Sequence, residues 1–177
     1  MNGAADPAGG PPPQVFASVG SMFAFDRFVR AVDDWAAAHP DVPVLVQIGS
    51  GEYVPRAAAF VRMMPPGLYQ QRIREARLFV AHAGMGSIIA AIQAGKPLLM
   101  MPRRLDLGEH TTDHQFATLA KFGGREGLHS AMDEAALHAA IDALLADTGA
   151  PPAPIAPFAG PELIGRVRAF IHGSDQG

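Results

Sequence analysis

The sequence contains no cysteine, and charged residues make up only 18% of its 177 positions. The absence of cysteine excludes a disulfide framework, a thiolate nucleophile and a cysteine-ligated metal. A formal net charge of -3 argues against a chain that neutralises nucleic-acid phosphates, so we expect no nucleic-acid partner. No apolar run approaches the roughly 20 residues that cross a bilayer, and the N-terminus lacks a signal-peptide pattern. These absences predict a soluble, cytoplasmic protein.

What is present is enough apolar material for one core. Hydrophobic residues account for 49% of the chain, and its length suits one domain rather than a two-domain enzyme that closes over its ligand. Composition divides it into a disordered lead-in at 1–13, a folded domain at 14–146, a proline-rich linker at 147–161 and a terminal helix at 162–172.

Within the folded domain, short apolar runs alternate with segments of helical periodicity. The predicted strands are Gln14–Val19, Val42–Ile48, Ala58–Val61, Leu78–Ala81 and Pro97–Met101. The predicted helices are Phe25–Ala38, Leu68–Glu75, Ser87–Ala94, Asp113–Phe122 and Asp133–Leu145. This alternation predicts an α/β fold, a Rossmann-like parallel sheet with helices on both faces. Ligands of such sheets bind beyond the carboxyl ends of the strands.

A glycine-rich turn follows the fourth predicted strand, in the segment His-Ala-Gly-Met-Gly-Ser at 82–87. Gly84 and Gly86 allow a ligand to approach the backbone, and Ser87 can cap the following helix. The free N–H groups of that helix start favour a phosphate or diphosphate, to which His82 can donate a further hydrogen bond. The same residues also fit ordinary turn chemistry with a structural histidine. A third glycine and an acidic partner are missing, so NAD binding is disfavoured.

Two further glycine turns are expected at the same sheet edge. Gly20 and Ser21 follow the first predicted strand and offer a second set of backbone donors to a phosphate. Gly49-Ser50-Gly51 follows the second strand. An ordinary strand-to-helix turn explains the first of these equally well. Three such turns at one edge nevertheless favour a nucleotide site more than any one alone.

A polar loop follows the fifth predicted strand. Its Arg103 and Arg104 suit the carboxylate or phosphate of an anionic ligand. Sugar hydroxyls are candidate partners of its other polar side chains, which are Glu109, His110, Asp113, His114 and Gln115. One alternative is a solvated loop in which Asp113 caps the next helix. Another is a zinc site of a hydrolase, with His110 and His114 joined by Glu109 or Asp113; we expect no metal.

Together these segments resemble the C-terminal, donor-binding half of family-28 glycosyltransferases, over roughly residues 14 to 145. The most specific part is the 82–87 segment followed by Ala94-Gly95-Lys96-Pro97. The resemblance is greatest to small soluble subunits of two-part enzymes. These include the PssE-type subunits of bacterial exopolysaccharide glucuronosyltransferases, and the soluble subunit of the N-acetylglucosaminyltransferase that builds lipid-linked oligosaccharides.

The resemblance implies half of a GT-B architecture, with inverting transfer from a UDP-sugar and no cofactor or metal. It assigns His82, Gly84, Gly86 and Ser87 to the diphosphate, helped by Gly20 and Ser21, and assigns Asp113 and Gln115 to the donor sugar. Relatives often have an acidic residue that grips the ribose where this sequence has Ala90. Glu109 and His110 are candidates for the general base, although a partner could supply it.

Arg103 and Arg104 make UDP-glucuronate the favoured donor, with UDP-N-acetylglucosamine as the alternative. The resemblance further implies a membrane-associated partner that carries the acceptor site, a lipid-linked acceptor and a role in exopolysaccharide synthesis at the inner face of the membrane. A non-catalytic nucleotide-binding module that regulates a partner is the competing hypothesis. The terminal helix, with Leu163 and Val167 on its apolar face, is expected to pack on its own domain or else on the partner.

Overall fold

The computed structural model describes residues 11–154 and 160–173. Most of the predicted lead-in at 1–13 and part of the predicted linker at 147–161 therefore lie outside the described residues. None of the described helices is long and apolar enough to cross a bilayer.

The described residues form one six-stranded sheet in which all strand pairs are parallel. The strands are β1 (Val15–Ser18), β2 (Val44–Gln47), β3 (Ala59–Val61), β4 (Leu78–His82), β5 (Leu98–Met101) and β6 (Leu128–Ser130). The helices are α1 (Asp26–Ala38), α2 (Pro66–Glu75), α3 (Met85–Ala94), α4 (His114–Phe122), α5 (Glu134–Ala146) and α6 (Pro161–Gly173). The predicted α/β class is confirmed.

Two short elements were not predicted. β6 has only three residues, Leu128–Ser130, and only Leu128 among them is buried, so the segment carries no alternation that a sequence pattern can detect. A single 3₁₀ turn at Leu105–Leu107 interrupts the polar loop after β5.

Helices cover both faces of the sheet, as predicted. The alternation of side chains along β4 sends Val80 to one face and Phe79 to the other. Val80 packs in the core beneath α1 and α5, which contribute Phe28, Val32, Trp35, Leu137 and Ile141. Phe79 packs in a second core with residues of α2, α3 and α4, including Ile73, Ile88 and Leu119. The sheet is thus buried from both sides, which is what its nearly continuous apolar strands require.

The strand order β3-β2-β1-β4-β5-β6 contains one reversal of direction. The chain moves outward from β1 to β3, returns to place β4 beside β1, and then moves outward again. Loops that leave the carboxyl ends of β1 and β4 therefore diverge to opposite faces and leave a crevice between them. The ligand site is expected at this position.

The proline-rich segment after α5 is seated on the domain. Pro152 lies against Gly127, where a Cβ would come within 2.6 Å of its ring, and Pro154 lies against Gly95. The terminal helix α6 does not show the first of its two expected packings, the one on its own domain. Its Leu163 and Val167 are 52% and 50% exposed, so these side chains are not buried on the described part of their own domain.

Candidate functional site

A cleft of about 560 Å³ lies at the carboxyl ends of β1 and β4. Its walls come from five segments: the turn after β1, the end of β2, the start of α2 with the residues before it, the turn after β4, and the polar loop after β5. The volume suits a small organic ligand. The cleft thus occupies the crevice that the strand order creates.

The turn after β1 is held in place by a buried hydrogen-bond network. Gly20 has a φ of +81°, a conformation that side chains with a Cβ rarely adopt. Its N–H donates to Ser18 Oγ (3.1 Å), and its carbonyl accepts from Gln47 Nε2 (3.1 Å). Ser18 Oγ also donates to Gln47 Oε1 (2.6 Å). Because the Gly20 N–H is already bonded within the protein, this glycine shapes the turn and lines the cleft beside Ser21.

His82 lies between the first turn and the turn after β4. A Cβ on Gly20 would come within 2.6 Å of its ring, and a Cβ on Gly84 would come closer still. Burial lowers the pKa of His82 to about 4, helped by the charge of Arg103, while the Ser18 backbone offsets part of this change. The ring is therefore neutral near pH 7. Its buried Nδ1 has no partner at hydrogen-bonding geometry among the described residues.

Helix α3 points its N-terminus into the cleft. Gly84 is the N-cap residue and provides no side-chain cap, which corrects the prediction that Ser87 caps this helix. The N–H of Ile88 bonds to the Gly84 carbonyl, so the amides of Met85, Gly86 and Ser87 have no acceptor within the helix. Such amides, together with the helix dipole, favour an anion. A Cβ on Gly86 would meet no atom within 4 Å, so the space in front of the helix is open.

Ser87 is buried at the base of the cleft, close to a phenol. Its side chain helps to offset the raised pKa of Tyr69, whose hydroxyl donates to Ser18 Oγ (3.3 Å). Burial raises the pKa of Tyr69, so the phenol keeps its proton. The two turns are thereby connected beneath the ligand cleft.

Arg103 serves the first turn rather than offering a free cation. The residue is 2% exposed, although it lines the cleft. Its guanidinium donates to the carbonyls of Val19 (2.8 Å) and Phe23 (2.7 Å), and also to those of Ala24 and Glu109. Burial lowers its pKa to about 10, so it remains charged near neutral pH. The prediction that this side chain pairs with an anionic ligand group is not supported by these contacts.

Arg104 and Asp113 lie outside the cleft. Both line a separate, shallow depression, where Arg104 pairs with Asp106 at 2.6 Å. Asp113 is the N-cap residue of α4, but its carboxylate accepts from Leu105 N (3.0 Å) instead of capping that helix. Of the predicted Asp113 and Gln115 pair, only Gln115 lines the cleft, and its Oε1 accepts from Arg103 N (3.0 Å). The structure therefore separates residues that the sequence placed together.

Glu109 is engaged in a structural ion pair. Its two carboxylate oxygens accept from Arg27 at 2.7 and 2.8 Å, and one of them also accepts from Arg104 N. Arg27 in turn donates to the Pro102 carbonyl, which fastens α1 to the loop after β5. Glu109 is not among the residues that line the cleft. This position contradicts its prediction as the general base.

His110 and His114 do line the cleft. Their ring centroids are 4.6 Å apart, and the His110 ring also makes an edge contact with Phe23. Nδ1 of His110 accepts from the backbone N–H of Thr111 and Thr112, whereas Nδ1 of His114 lies 2.6 Å from the Thr112 hydroxyl. The described residues contain no cluster of three metal-ligating side chains, so the zinc alternative finds no third ligand among them.

The described lining of the cleft contains no carboxylate. Its ionisable side chains are Tyr69, His82, Arg103, His110 and His114. A wall with one buried cation, three imidazoles and a helix N-terminus favours a negatively charged ligand.

Sequence reasoning missed several residues of this site. Gln47, Met63 and Tyr69 line the cleft, although the sequence predicted no ligand contact for any of them. A signal existed for Gln47, because an amide ends an otherwise apolar strand at the ligand-binding edge. Met63 lies in the connection from β3 to α2, and Tyr69 lies in α2 itself. No local sequence pattern predicts that these two side chains reach the cleft.

The sequence of residues 15–155 matches the model of the glycosyltransferase family 28 C-terminal domain. The chain belongs to this family. None of the curated proteins compared with this glycosyltransferase-family domain matches it.

Solved glycosyltransferases share the fold of this family-28 domain. The calicheamicin glycosyltransferase CalG4 is 19% identical, with a TM-score of 0.56 over 82% of this chain and 38% of that one. The glycotransferase of kitacinnamycin is 21% identical, with a TM-score of 0.54 over 77% and 36% of the respective chains. Os79 from O. sativa, solved with UDP, is 16% identical, with a TM-score of 0.53 over 78% and 33%. The domain thus has the Rossmann-like architecture of a GT-B C-terminal half and spans well under half of these structures.

Proposed function

We propose that this domain binds the UDP-sugar donor of an inverting glycosyltransferase. The observation that carries the proposal is the α3 N-terminus, which opens onto a cleft without a carboxylate in its described lining. A diphosphate carries negative charge both when bound and as the leaving group, and the amides of residues 85–87 are placed to bind it. His82, Ser21 and Gln115 complete the surroundings of the donor.

The polar groups that line the cleft favour catalysis without a metal cofactor. Backbone N–H groups and neutral imidazoles bind anions, whereas magnesium requires oxygen ligands such as carboxylates. In this proposal the helix N-terminus stabilises the departing UDP, and it does so without reorganising, because the turn is already held by Gly84 and His82. The acceptor hydroxyl attacks the anomeric carbon of the sugar from the side opposite the departing UDP, which inverts the configuration of that carbon.

UDP-glucuronate and UDP-N-acetylglucosamine are the two donors to be compared. The preference for glucuronate rested on Arg103 and Arg104, one of which is committed to backbone carbonyls and the other directed to a separate depression. Glucuronate is therefore proposed only on the resemblance to glucuronosyltransferase subunits.

The acceptor site is proposed to lie on a second polypeptide. The chain spans about a third to less than a half of the solved glycosyltransferases compared above. We propose a membrane-associated partner that presents a lipid-linked acceptor at the cytoplasmic face, in the synthesis of an exopolysaccharide. We propose that the partner also supplies the general base, because Glu109 is bound to Arg27 and the described lining of the cleft contains no carboxylate.

Calorimetric titration of the full chain with UDP, UMP and the two UDP-sugars tests the donor proposal. UDP is expected to bind at least tenfold more tightly than UMP, because the second phosphate reaches the α3 amides. Equal affinities for UDP and UMP would contradict the assignment of that helix. Binding of a UDP-sugar without transfer in the reconstituted pair would favour the regulatory nucleotide-binding module instead.

A further inference from the structure

We propose that His110 is a neutral hydrogen-bond donor to the bound UDP-sugar through Nε2–H, and does not act as the general base. This inference rests on the proposed function, since the oxygen that accepts this hydrogen bond belongs to the UDP-sugar. It gives a binding role to His110, a cleft side chain to which the proposed reaction otherwise assigns no role.

The backbone determines which nitrogen of His110 carries the proton. Nδ1 lies 2.9 Å from the N–H of Thr111 and 3.3 Å from that of Thr112. A backbone N–H can only donate, so Nδ1 must accept with its lone pair. The single proton of the neutral imidazole therefore resides on Nε2. A nitrogen that already holds its proton cannot remove one from an acceptor hydroxyl.

The surroundings also keep the ring neutral. Adding a second proton would place an N–H on Nδ1 directly against two backbone N–H groups. Burial lowers the pKa of His110, and the neighbouring His114 and the charge of Arg103 lower it further. The remaining titratable groups along the cleft are His82 and Tyr69, and neither is a carboxylate that would favour an imidazolium.

The position of the His110 ring is defined by contacts on several sides. Its edge-on neighbours are Phe23, at 5.1 Å between centroids, and His114, at 4.6 Å. The preceding residue is fixed twice, because the Glu109 carboxylate binds Arg27 and its carbonyl accepts from Arg103 (3.2 Å). His110 thus enters the cleft from an anchored backbone, which limits the loss of freedom on ligand binding.

His114 is a useful contrast within the same cleft. Its Nδ1 faces the Thr112 hydroxyl at 2.6 Å, and a hydroxyl can either donate or accept. The proton of His114 is therefore free to reside on either nitrogen. The restriction to one tautomer is specific to His110 and follows from its backbone partners.

Three substitutions at His110 test the proposal by titration with UDP and with a UDP-sugar. His110→Gln keeps an N–H donor near the Nε2 position, and its affinity should remain within about threefold of the wild type. His110→Ala and His110→Asn lose that donor and should bind about tenfold more weakly, the effect of one hydrogen bond to a charged or polar oxygen. Weakening with both ligands assigns the bond to the UDP part that they share, and weakening with the UDP-sugar alone assigns it to the sugar.

Ring-nitrogen NMR shifts of His110 in the full chain supply a second readout that needs no ligand. The proposal predicts a proton on Nε2 and none on Nδ1 at neutral pH. A proton on Nδ1, unchanged affinity in His110→Ala, or equal weakening in His110→Gln and His110→Ala would each overturn it. If the wild-type chain binds neither UDP nor a UDP-sugar, the proposed function itself fails. Unfolding midpoints of the three variants control for loss of fold.

Discussion

Arg103 shows how a single buried side chain can shape a cleft through its hydrogen bonds to backbone carbonyls. Its guanidinium connects the loop after β5 to the carbonyls of the turn after β1. The Phe25 ring lies 4.6 Å from its charged carbon and adds a cation–π contact. The first wall of the cleft therefore depends on an arginine more than 75 residues away in sequence.

Replacing Arg103 by methionine should lower the free energy of unfolding by about 3 kcal/mol, because several buried carbonyls lose their donor. Denaturant unfolding monitored through Trp35 measures this change. Arg104→Met is the matched control, since Arg104 is exposed and pairs only with Asp106, and its midpoint should not move. Equal midpoints for the two variants would refute the structural role of Arg103.

His82 should make the stability of the domain depend on pH. Its folded pKa of about 4 lies below its ordinary value of 6.5. Between these values the unfolded chain takes up a proton that the folded protein does not, so stability is lost as the pH falls from 6.5 towards 4. The loss approaches about 1.4 kcal/mol per pH unit for one full proton.

Unfolding of the wild type and of His82→Gln across this pH range measures the contribution. His110 and His129 also have lowered pKa values and remain in both proteins, so their effects cancel in the comparison. The variant should lose less stability on acidification. Parallel pH profiles would show that His82 is not neutral in the folded state.

At single positions, the sequence predicts the backbone part of the site better than its charges. Gly20, His82 and Gly86 were predicted to border the ligand, and they line the cleft. A residue that directly follows a strand lies at the carboxyl end of the parallel sheet, and this position does not depend on contacts with distant parts of the chain. Arg103 and Glu109 have partners on α1 or on the turn before it, and no local pattern reports contacts over that separation.

Among the elements, α6 and the segment before it behave differently. Pro152 and Pro154 pack against Gly127 and Gly95, whereas Leu163 and Val167 of α6 remain about half exposed. The segment up to 154 therefore belongs to the domain, although its composition is that of a linker. Amphipathic periodicity correctly predicts that α6 is a helix, but periodicity does not say against what the apolar face packs.

Two truncations separate these contributions. Removing 155–177 should leave the urea midpoint nearly unchanged, because the domain buries little of α6. Removing 150–177 also uncovers Gly95 and Gly127, and should lower the free energy of unfolding by about 1 kcal/mol for the lost apolar contact. Equal losses in both truncations would contradict the packing of the proline segment.

For the elements of the sheet, a run of apolar residues was sufficient to predict every described strand except β6. β1, β2, β4 and β5 were predicted from such runs, and their order places the cleft. β6 was missed because Leu128–Ser130 buries one side chain and is a strand only through its pairing with β5. Pairing with a formed neighbour is a property of the sheet and not of the segment.

The molecule as a whole presents one cleft whose described lining suits an anion, which we propose to be the donor site. Its turns are fixed by internal hydrogen bonds, so little reorganisation is needed when an anion binds. We propose that the acceptor hydroxyl is presented by a second polypeptide. This division agrees with a chain that matches only part of the solved GT-B enzymes.

If the α3 N-terminus binds the diphosphate, a matched pair of glycine substitutions should differ in their effect on UDP binding. Gly86 and Gly67 are each the second residue of a helix, and in both a Cβ would meet no atom within 4 Å. Only Gly86 lines the cleft. Leucine at either position should preserve or slightly raise stability, since glycine costs a helix up to about 1 kcal/mol.

The decisive measurement is the dissociation constant for UDP of Gly86→Leu and Gly67→Leu, determined by titration calorimetry. Gly86→Leu places a side chain where the diphosphate must lie and should weaken binding at least tenfold, while Gly67→Leu should bind UDP as the wild type does. Wild-type affinity in a folded Gly86→Leu protein would show that the α3 N-terminus does not bind the diphosphate.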